Sequence, residues 1–214
     1  MRRTTSLSIT VLGLLAVTGV LGAVFAGQHS PSALDAWFFT TLAGPAGADP
    51  GWRSVLLTFS MPTLVYGAAL LLAGYHLYRR RFRIAVLAVC APPLAVLCSS
   101  VLLKPVFDRH YAGNLCYPSG HTTLLVATLT VFVLAHRRFG YPAVPLALIG
   151  AFGLIAGRYH YLTDTIGGAA LGCAVGLGLY ALSLRLRPRP WTGRSAGKSR
   201  ADTSSGTHRQ ASPR

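Results

Sequence analysis

The sequence predicts an all-α fold, a polytopic membrane bundle of six transmembrane helices. Only 12% of the 214 residues are charged and 52% are hydrophobic, whereas soluble domains carry about 25% charged residues. The hydrophobic residues form long runs, and a span needs about 20 apolar residues to cross roughly 30 Å of hydrocarbon. Six runs come near that length: residues 7–26, 55–75, 84–103, 122–135, 141–157 and 165–184.

The first run allows two interpretations. Arg2 and Arg3 precede an apolar stretch that ends in a small-residue pattern at residues 24–26, as in a secretory signal. The stretch is long for a signal, so an uncleaved span is favoured. Either interpretation leaves the following loop, residues 27–53, on the same side of the membrane. The aromatic residues at 37–39 in that loop suit either an interfacial helix or a plain connector with an aromatic anchor.

The remaining runs complete one domain. The fourth and fifth are short and are expected to lengthen by taking in flanking residues. The sixth carries Gly167, Gly168, Gly172 and Gly176, and small residues let a membrane helix pack closely against its neighbour. Residues 1–187 are therefore predicted to form a six-span domain. The basic cytoplasmic tail, residues 188–214, is rich in Ser, Gly, Pro and Arg and is predicted to be disordered.

The 20 Lys and Arg residues fall unevenly on the two sides that six spans define. Sixteen share one side, with two at the N-terminus, four at 79–83, two at 137–138 and eight from 185 onward. The positive-inside rule places these sixteen in the cytoplasm. A multi-pass cell-membrane protein with both termini cytoplasmic is therefore predicted. The net charge of +15 then reflects topology and contact with anionic lipid head groups, and no nucleic-acid partner is expected.

Polar residues gather in two outward loops, residues 104–121 and 157–164, where an apolar helix meets the outer surface. Ionisable residues near membrane depth are costly, which makes them candidates for function. Ser119 and Gly120 precede a predicted helix start, whose backbone N–H groups suit an anion, although Pro-Ser-Gly is also an ordinary turn and cap. These loops hold three of the four outward cations: Lys104, Arg109 and Arg158.

The histidines of these loops offer proton-transfer and nucleophilic chemistry. His160 and Asp164 are four residues apart and share one face if the stretch is helical. A carboxylate beside an imidazole holds one ring nitrogen protonated and frees the other as base, nucleophile or ligand, although such pairs are often only surface contacts. With His121, one imidazole can attack phosphorus while the other protonates the leaving oxygen. The nearby cations can neutralise the developing charge, so neither a metal nor a cofactor is expected.

These residues resemble the type-2 phosphatidic acid phosphatase superfamily. That family's pattern is Lys, six residues, Arg-Pro; then Pro-Ser-Gly-His; then Ser-Arg, five residues, His, three residues and Asp. Residues 118–121 match the second motif in full, and His160 with Asp164 matches the end of the third. The order of the motifs, their spacing and the six-span layout also agree, over about residues 55–184.

The sequence departs from the family at two arginine positions, which are occupied in this chain by Tyr111 and Leu154. Arg109 and Arg158 are the nearby basic replacements. These departures concern the phosphate clamp and leave the two-histidine chemistry in place.

The resemblance implies a metal-independent hydrolase of lipid phosphates. His160 would be the nucleophile that forms a phosphohistidine, Asp164 would orient it, and His121 would act as general acid and then as base. Suitable substrates on the extracytoplasmic side are polyprenyl pyrophosphate, phosphatidate and phosphatidylglycerophosphate. The resemblance assigns phosphate binding to five residues: Lys104, Arg109, Ser119, Gly120 and Arg158.

Other functions stay open at this point. The displaced arginines allow a non-catalytic lipid-phosphate-binding membrane protein, although a binder has little use for an oriented imidazole. A serine hydrolase that uses Ser119 with His160 is a further alternative, but nothing in the sequence identifies an oxyanion hole. A transporter is disfavoured, because few charges lie within the spans.

Overall fold

The structure is a computed structural model that describes residues 2–186, and it is almost entirely helical. The predicted tail, residues 188–214, lies outside the described residues. The α-helices of the described part are α1 (Arg2–Phe25), α2 (Ala33–Phe38), α3 (Gly44–Ala46), α4 (Pro50–Thr58), α5 (Pro62–Tyr78), α6 (Phe82–Leu97), α7 (Lys104–Phe107), α8 (Gly120–Ala135), α9 (Gly140–Ala156) and α10 (Leu162–Arg185). π-Helical turns at Phe39–Ala43 and Cys98–Leu103, a 3₁₀ turn at Arg137–Phe139, and an antiparallel pair of short strands, β1 (His110–Tyr111) and β2 (Asn114–Leu115), complete this part of the chain.

The predicted membrane bundle is confirmed, with one span shorter than the rest. Over residues 2–186, five helical stretches are long and apolar enough to cross a membrane: Thr5–Phe25, Pro50–Tyr78, Phe82–Phe107, Arg137–Ala156 and Leu162–Arg185. The fifth predicted run does lengthen at its start, as expected. The fourth forms α8, whose 16 residues span only about 24 Å at 1.5 Å per residue.

The loop after the first span contains a helix and is not a plain connector. Ser32 caps the start of α2, because its hydroxyl accepts the Asp35 N–H at 3.2 Å while its own N–H donates to the Asp35 carboxylate at 3.2 Å. This reciprocal arrangement is a capping box. Phe38, at the end of α2, packs edge-on against Phe152 of α9 with ring centroids 6.1 Å apart. The loop is thereby fastened to the bundle.

The two ends of the bundle carry different chemistry. At one end Arg83 donates to the Ser183 hydroxyl at 2.9 Å, and Arg185 donates to the Ser8 hydroxyl at 3.2 Å. At the other end the Gly27 N–H donates to the Phe107 carbonyl at 2.9 Å. The arginine-rich connections therefore lie opposite the two polar loops, as the alternation of spans requires. Which end faces the cytoplasm stays a prediction.

The first helix is hydrogen-bonded to the polar loop that precedes α8 and to α10. The Thr18 hydroxyl donates to the Gly167 carbonyl at 3.3 Å, and the Tyr117 hydroxyl donates to the Thr18 carbonyl at 2.5 Å. Both Thr18 and Tyr117 are buried. Residues about 100 and 150 positions apart in the chain are thus joined beside the start of the last helix.

Glycines on α10 allow α8 to approach closely, as the sequence predicted. A Cβ atom added at Gly168 would lie 2.6 Å from the Ser119 carbonyl oxygen, and one at Gly172 would lie 2.5 Å from the Thr123 carbonyl oxygen. Backbone atoms cannot yield to such a contact without a shift of the whole helix. This close packing matters for the site, because α8 and α10 begin next to the candidate histidines.

We expect Gly172→Ala to lower the thermal stability of the protein in detergent, because the new methyl group would push α8 away from α10. Overpacking of this kind costs about 1–3 kcal/mol. Gly178→Ala is the matched control on the same helix, since a Cβ there would lie 3.9 Å from the nearest Val11 atom. That control should be neutral or slightly stabilising, because Ala is the better helix former. Equal melting temperatures for the two variants would contradict the close packing of α8 on α10.

Candidate active site

His121 is held in place by the capped start of α8. The Ser119 hydroxyl accepts the Thr122 N–H at 3.3 Å and the Thr122 hydroxyl at 3.1 Å. The Ser119 N–H donates to the Asp164 carbonyl at 3.1 Å, which joins the start of α8 to the first turn of α10. His121, two residues after the cap, therefore faces the start of α10.

His160 lies in the tight turn between α9 and α10. The Arg158 N–H donates to the Ile155 carbonyl at 3.0 Å, and the Tyr159 N–H donates to the Leu154 carbonyl at 2.9 Å. This pair of bonds is a Schellman motif, with Arg158 in the left-handed position (φ 62°) where glycine is usual. The chain then reverses, and His160 lies just before α10.

The two histidines line one cavity of about 220 Å³. Their ring centroids are 6.3 Å apart, with an angle of 60° between the ring planes. Lys104 and Gly120 also line this cavity. The other lining residues are largely apolar: Pro62, Tyr66, Val96, Ser100 and Leu124. The cavity thus combines two imidazoles and one ammonium group with an apolar flank.

Asp164 lies behind His160 with its two carboxylate oxygens turned in different directions. Oδ2 accepts the Tyr161 N–H at 2.9 Å, which caps α10, and lies 3.7 Å from His160 Nδ1. Oδ1 accepts a hydrogen bond from Arg109 at 2.6 Å. The contact with His160 is longer than a hydrogen bond, and such contacts often tighten only when substrate is bound. Nδ1 faces the carboxylate, so Nε2 is the nitrogen left for chemistry.

Lys104 stands where the π-helical turn Cys98–Leu103 passes into α7. Its ammonium group donates to the Leu115 carbonyl at 2.8 Å. An ammonium group has three N–H donors, so two remain available to an anion in the cavity. The contact with Leu115 also fixes the side chain beside β2.

A family model described as the PAP2 superfamily matches residues 85–188, a range that includes the cavity histidines, Lys104 and Asp164. The part of the chain that carries the cavity belongs to the PAP2 superfamily. The resemblance predicted from the motifs is thereby confirmed.

Two proteins from Bacillus subtilis are similar to this chain. It is 30% identical over 78 residues to undecaprenyl-diphosphatase BcrC of strain 168, a match that covers 36% of this chain and 40% of that relative's length. A crystal structure of a transmembrane PAP2 type phosphatidylglycerolphosphate phosphatase superposes with a TM-score of 0.66 at 17% identity. That match covers 83% of this chain and 98% of the other, and it shows a shared fold.

Three of the residues predicted to bind phosphate do not line this cavity in the part of the chain that the structure describes. Ser119 is fully buried and its hydroxyl caps α8, which also disfavours a serine nucleophile. Arg158 is exposed, with its guanidinium carbon 5.0 Å from the centre of the Phe39 ring. Arg109 is fully buried, and both of its terminal nitrogens already bind carboxylates. The structure therefore brings together His121, His160, Lys104 and Gly120, with Asp164 behind them.

The two positions where other PAP2 members carry arginine are occupied by packing residues. Tyr111 stacks edge-on against Tyr161 with ring centroids 4.6 Å apart. Leu154 is buried in α9. Neither side chain can supply a positive charge, so the cationic contribution of this cavity comes from Lys104.

Sequence reasoning missed Asp35, which is buried beside Arg109. Its Oδ2 accepts a hydrogen bond from Arg109 Nη2 at 2.8 Å, and its Oδ1 accepts one from the Thr163 N–H at 2.9 Å. Burial opposes ionisation of Asp35, but the bonds from Thr163, Ser32 and Arg109 outweigh it and lower the pKa of the carboxyl group. Ser-x-x-Asp at residues 32–35 is a capping signature that could have marked the helix. The sequence holds no sign of its partner.

Proposed function

We propose that this protein is an integral-membrane phosphatase that hydrolyses a lipid phosphate or pyrophosphate through a phosphohistidine intermediate. The observation that carries the proposal is the pair of imidazoles, His121 and His160, on the wall of one cavity with ring centroids 6.3 Å apart. That separation leaves room for a phosphoryl group between the rings, since reacting atoms approach to about 3–3.5 Å.

In the first step His160 Nε2 attacks phosphorus. A P–N bond forms, the P–O bond to the lipid leaving group breaks, and His121 gives its proton to the departing oxygen. Positive charge develops on the attacking imidazole. The Asp164 carboxylate, 3.7 Å from Nδ1, stabilises that charge and holds Nδ1 protonated.

In the second step water replaces the lipid. His121, now neutral, takes a proton from a water molecule as that water attacks phosphorus. The P–N bond breaks, His160 returns to its starting state, and inorganic phosphate leaves. No metal is needed, because cationic and N–H donors can neutralise the phosphoryl oxygens.

Phosphate binding is assigned to Lys104 and to the start of α8. The first N–H groups of a helix lack intrahelical partners and carry partial positive charge. Gly120 stands at that start, and a Cβ there would lie 3.2 Å from the Ser100 hydroxyl. The absence of a side chain keeps the backbone open to an anion.

The substrate is assigned to lipids with a phosphate or pyrophosphate head group: polyprenyl pyrophosphate, phosphatidate or phosphatidylglycerophosphate. The apolar flank of the cavity, formed by Pro62, Val96 and Leu124 among others, suits the first carbons of a lipid chain. The two relatives, an undecaprenyl-diphosphatase and a phosphatidylglycerolphosphate phosphatase, support both head-group types. The loops that carry the site are assigned to the extracytoplasmic face.

The test is phosphate release by purified protein in detergent with EDTA, across polyprenyl and glycerolipid phosphates. We expect turnover of at least one of them. His121→Ala should lower kcat by about 10²–10⁴-fold, because removal of a general acid and base has an effect of that size.

His136→Ala is the matched control, since His136 lies at the opposite end of α8 and should keep full activity. Lipid binding without turnover would instead support a non-catalytic binder. Full activity of His121→Ala would contradict the assigned role.

A further inference from the structure

Four charged or ionisable side chains form a buried line that leads away from the cavity: His160, Asp164, Arg109 and Asp35. We infer that Asp35 is a positioning residue, which acts on His160 through Arg109 and Asp164. The inference rests on the proposed function, because it concerns the reactivity of the proposed nucleophile. Asp35 lies outside residues 85–188, the part matched by the family model.

Three hydrogen bonds from its two terminal nitrogens and two aromatic rings hold the guanidinium of Arg109. Nη1 donates to Asp164 at 2.6 Å and to the Thr163 hydroxyl at 2.6 Å, while Nη2 donates to Asp35 at 2.8 Å. Its guanidinium carbon lies 4.3 Å from the Phe25 ring centre and 4.6 Å from that of Tyr161. The Asp164 carboxylate is therefore oriented by an arginine that is itself bound to Asp35 and Thr163.

Two capped helix starts converge on this arginine. Asp35 and Asp164 are each the third residue of their helix, and each accepts a backbone N–H from the residue before it begins. Thr163 joins them, because its N–H and hydroxyl donate to Asp35 while its hydroxyl accepts from Arg109. The position of α2 is thus coupled directly to the first turn of α10, where Asp164 faces His160.

The charge of the group also depends on Asp35. Arg109 and Asp164 alone would form a pair with no net formal charge. With Asp35 the buried group carries a net charge of −1, since two carboxylates share one guanidinium. In a buried site such a charge acts strongly on neighbouring groups, and it stabilises the positive charge that develops on His160 during attack.

The test compares Asp35→Asn with Asp108→Asn in the full-length protein. We expect Asp35→Asn to lower kcat by about 10- to 100-fold with KM unchanged, as is typical when a partner that orients a reacting group is lost. Asp108 is an exposed carboxylate at the same end of the bundle, in the left-handed conformation that Asn tolerates. Asp108→Asn should leave both constants unchanged. Equal kcat in the two variants would overturn the inference.

A second comparison separates positioning from simple support of α2. Ser32→Ala removes the cap of α2 and a hydrogen bond to Asp35 at 2.7 Å but keeps every charge. It should lower thermal stability and preserve kcat. If Ser32→Ala lowers kcat as much as Asp35→Asn does, the role is structural and the inference fails. If Asp35→Asn gives no folded protein, Thr163→Val replaces it, and an unchanged kcat in that variant overturns the inference.

A measurement without substrate distinguishes this inference from the proposed function. In protein labelled with ¹⁵N-histidine, the ring signals of His160, assigned by His160→Gln, should shift in Asp35→Asn and not in Asp108→Asn. Unshifted signals would overturn the inference even in an active enzyme. A shift in a protein that releases no phosphate would support the coupling and refute the phosphatase assignment.

Discussion

Replacing His160 with alanine is expected to abolish phosphate release, with a loss of at least about 10⁴-fold in kcat. The reason is that the proposed P–N bond forms on His160, the cavity histidine whose Nδ1 lies 3.7 Å from the Asp164 carboxylate. The measurement is the initial rate of phosphate release in detergent with EDTA, on the substrate that the wild-type protein turns over fastest.

His110→Ala is the matched control for that experiment. His110 is in β1, stacks on His29 with ring centroids 4.5 Å apart, and does not line the cavity. Its loss should leave the rate unchanged. A rapid quench of the wild-type protein with ³²P-labelled substrate should also trap an acid-labile, base-stable phosphoenzyme, which His160→Ala should not form. Trapped label in His160→Ala would show that another residue is the nucleophile.

Replacing Arg109 with methionine is expected to lower the free energy of unfolding by about 3–5 kcal/mol, the usual cost of removing one partner from a buried ion pair. Asp35 and Asp164 would then face each other as buried carboxylates without a cation between them. Thermal unfolding in detergent measures this loss directly. Arg53→Met is the control, because Arg53 is an exposed arginine of α4.

The same variant separates two roles for Arg109. A phosphate ligand would raise KM when removed and leave the fold as stable as before. A buried anchor would lower stability and kcat and leave KM nearly unchanged. An Arg109→Met protein that melts at the wild-type temperature would show that the two buried ion pairs contribute little to stability.

Much of the fold was predictable because hydrophobic runs and spans are local features of a membrane protein. Helices cover nearly all of each of the six runs, and Gly168, Gly172 and Gly176 of the sixth run do lie against α8. The exact lengths of the helices were harder to predict from the sequence. The break between α4 and α5 at residues 59–61, just before Pro62, interrupts a run that hydropathy alone reads as continuous.

In the candidate site, too, features set by local sequence were predictable and features set by distant contacts were not. Pro-Ser-Gly-His and His-x-x-x-Asp are local patterns, and the structure brings their histidines to one cavity. The burial of Arg109 could not be predicted from the sequence, because its partners Asp35 and Asp164 lie 74 and 55 residues away along the chain. A basic residue in a polar loop carries no local sign of whether it will face a substrate or a buried carboxylate. Only the packing of α2 against the start of α10 decides this.

The contribution of Asp35 sets a limit on how this protein can be divided or recombined. Consider a chimera that takes residues 85–188 from this chain and the preceding residues from a relative with no acid at the position of Asp35. It would inherit both imidazoles and Lys104. It would lack the carboxylate that shares the guanidinium with Asp164, together with the Phe25 ring that covers it. Exchange of segments between relatives should therefore preserve function only when the donor of the amino-terminal part also provides an acid at the position of Asp35.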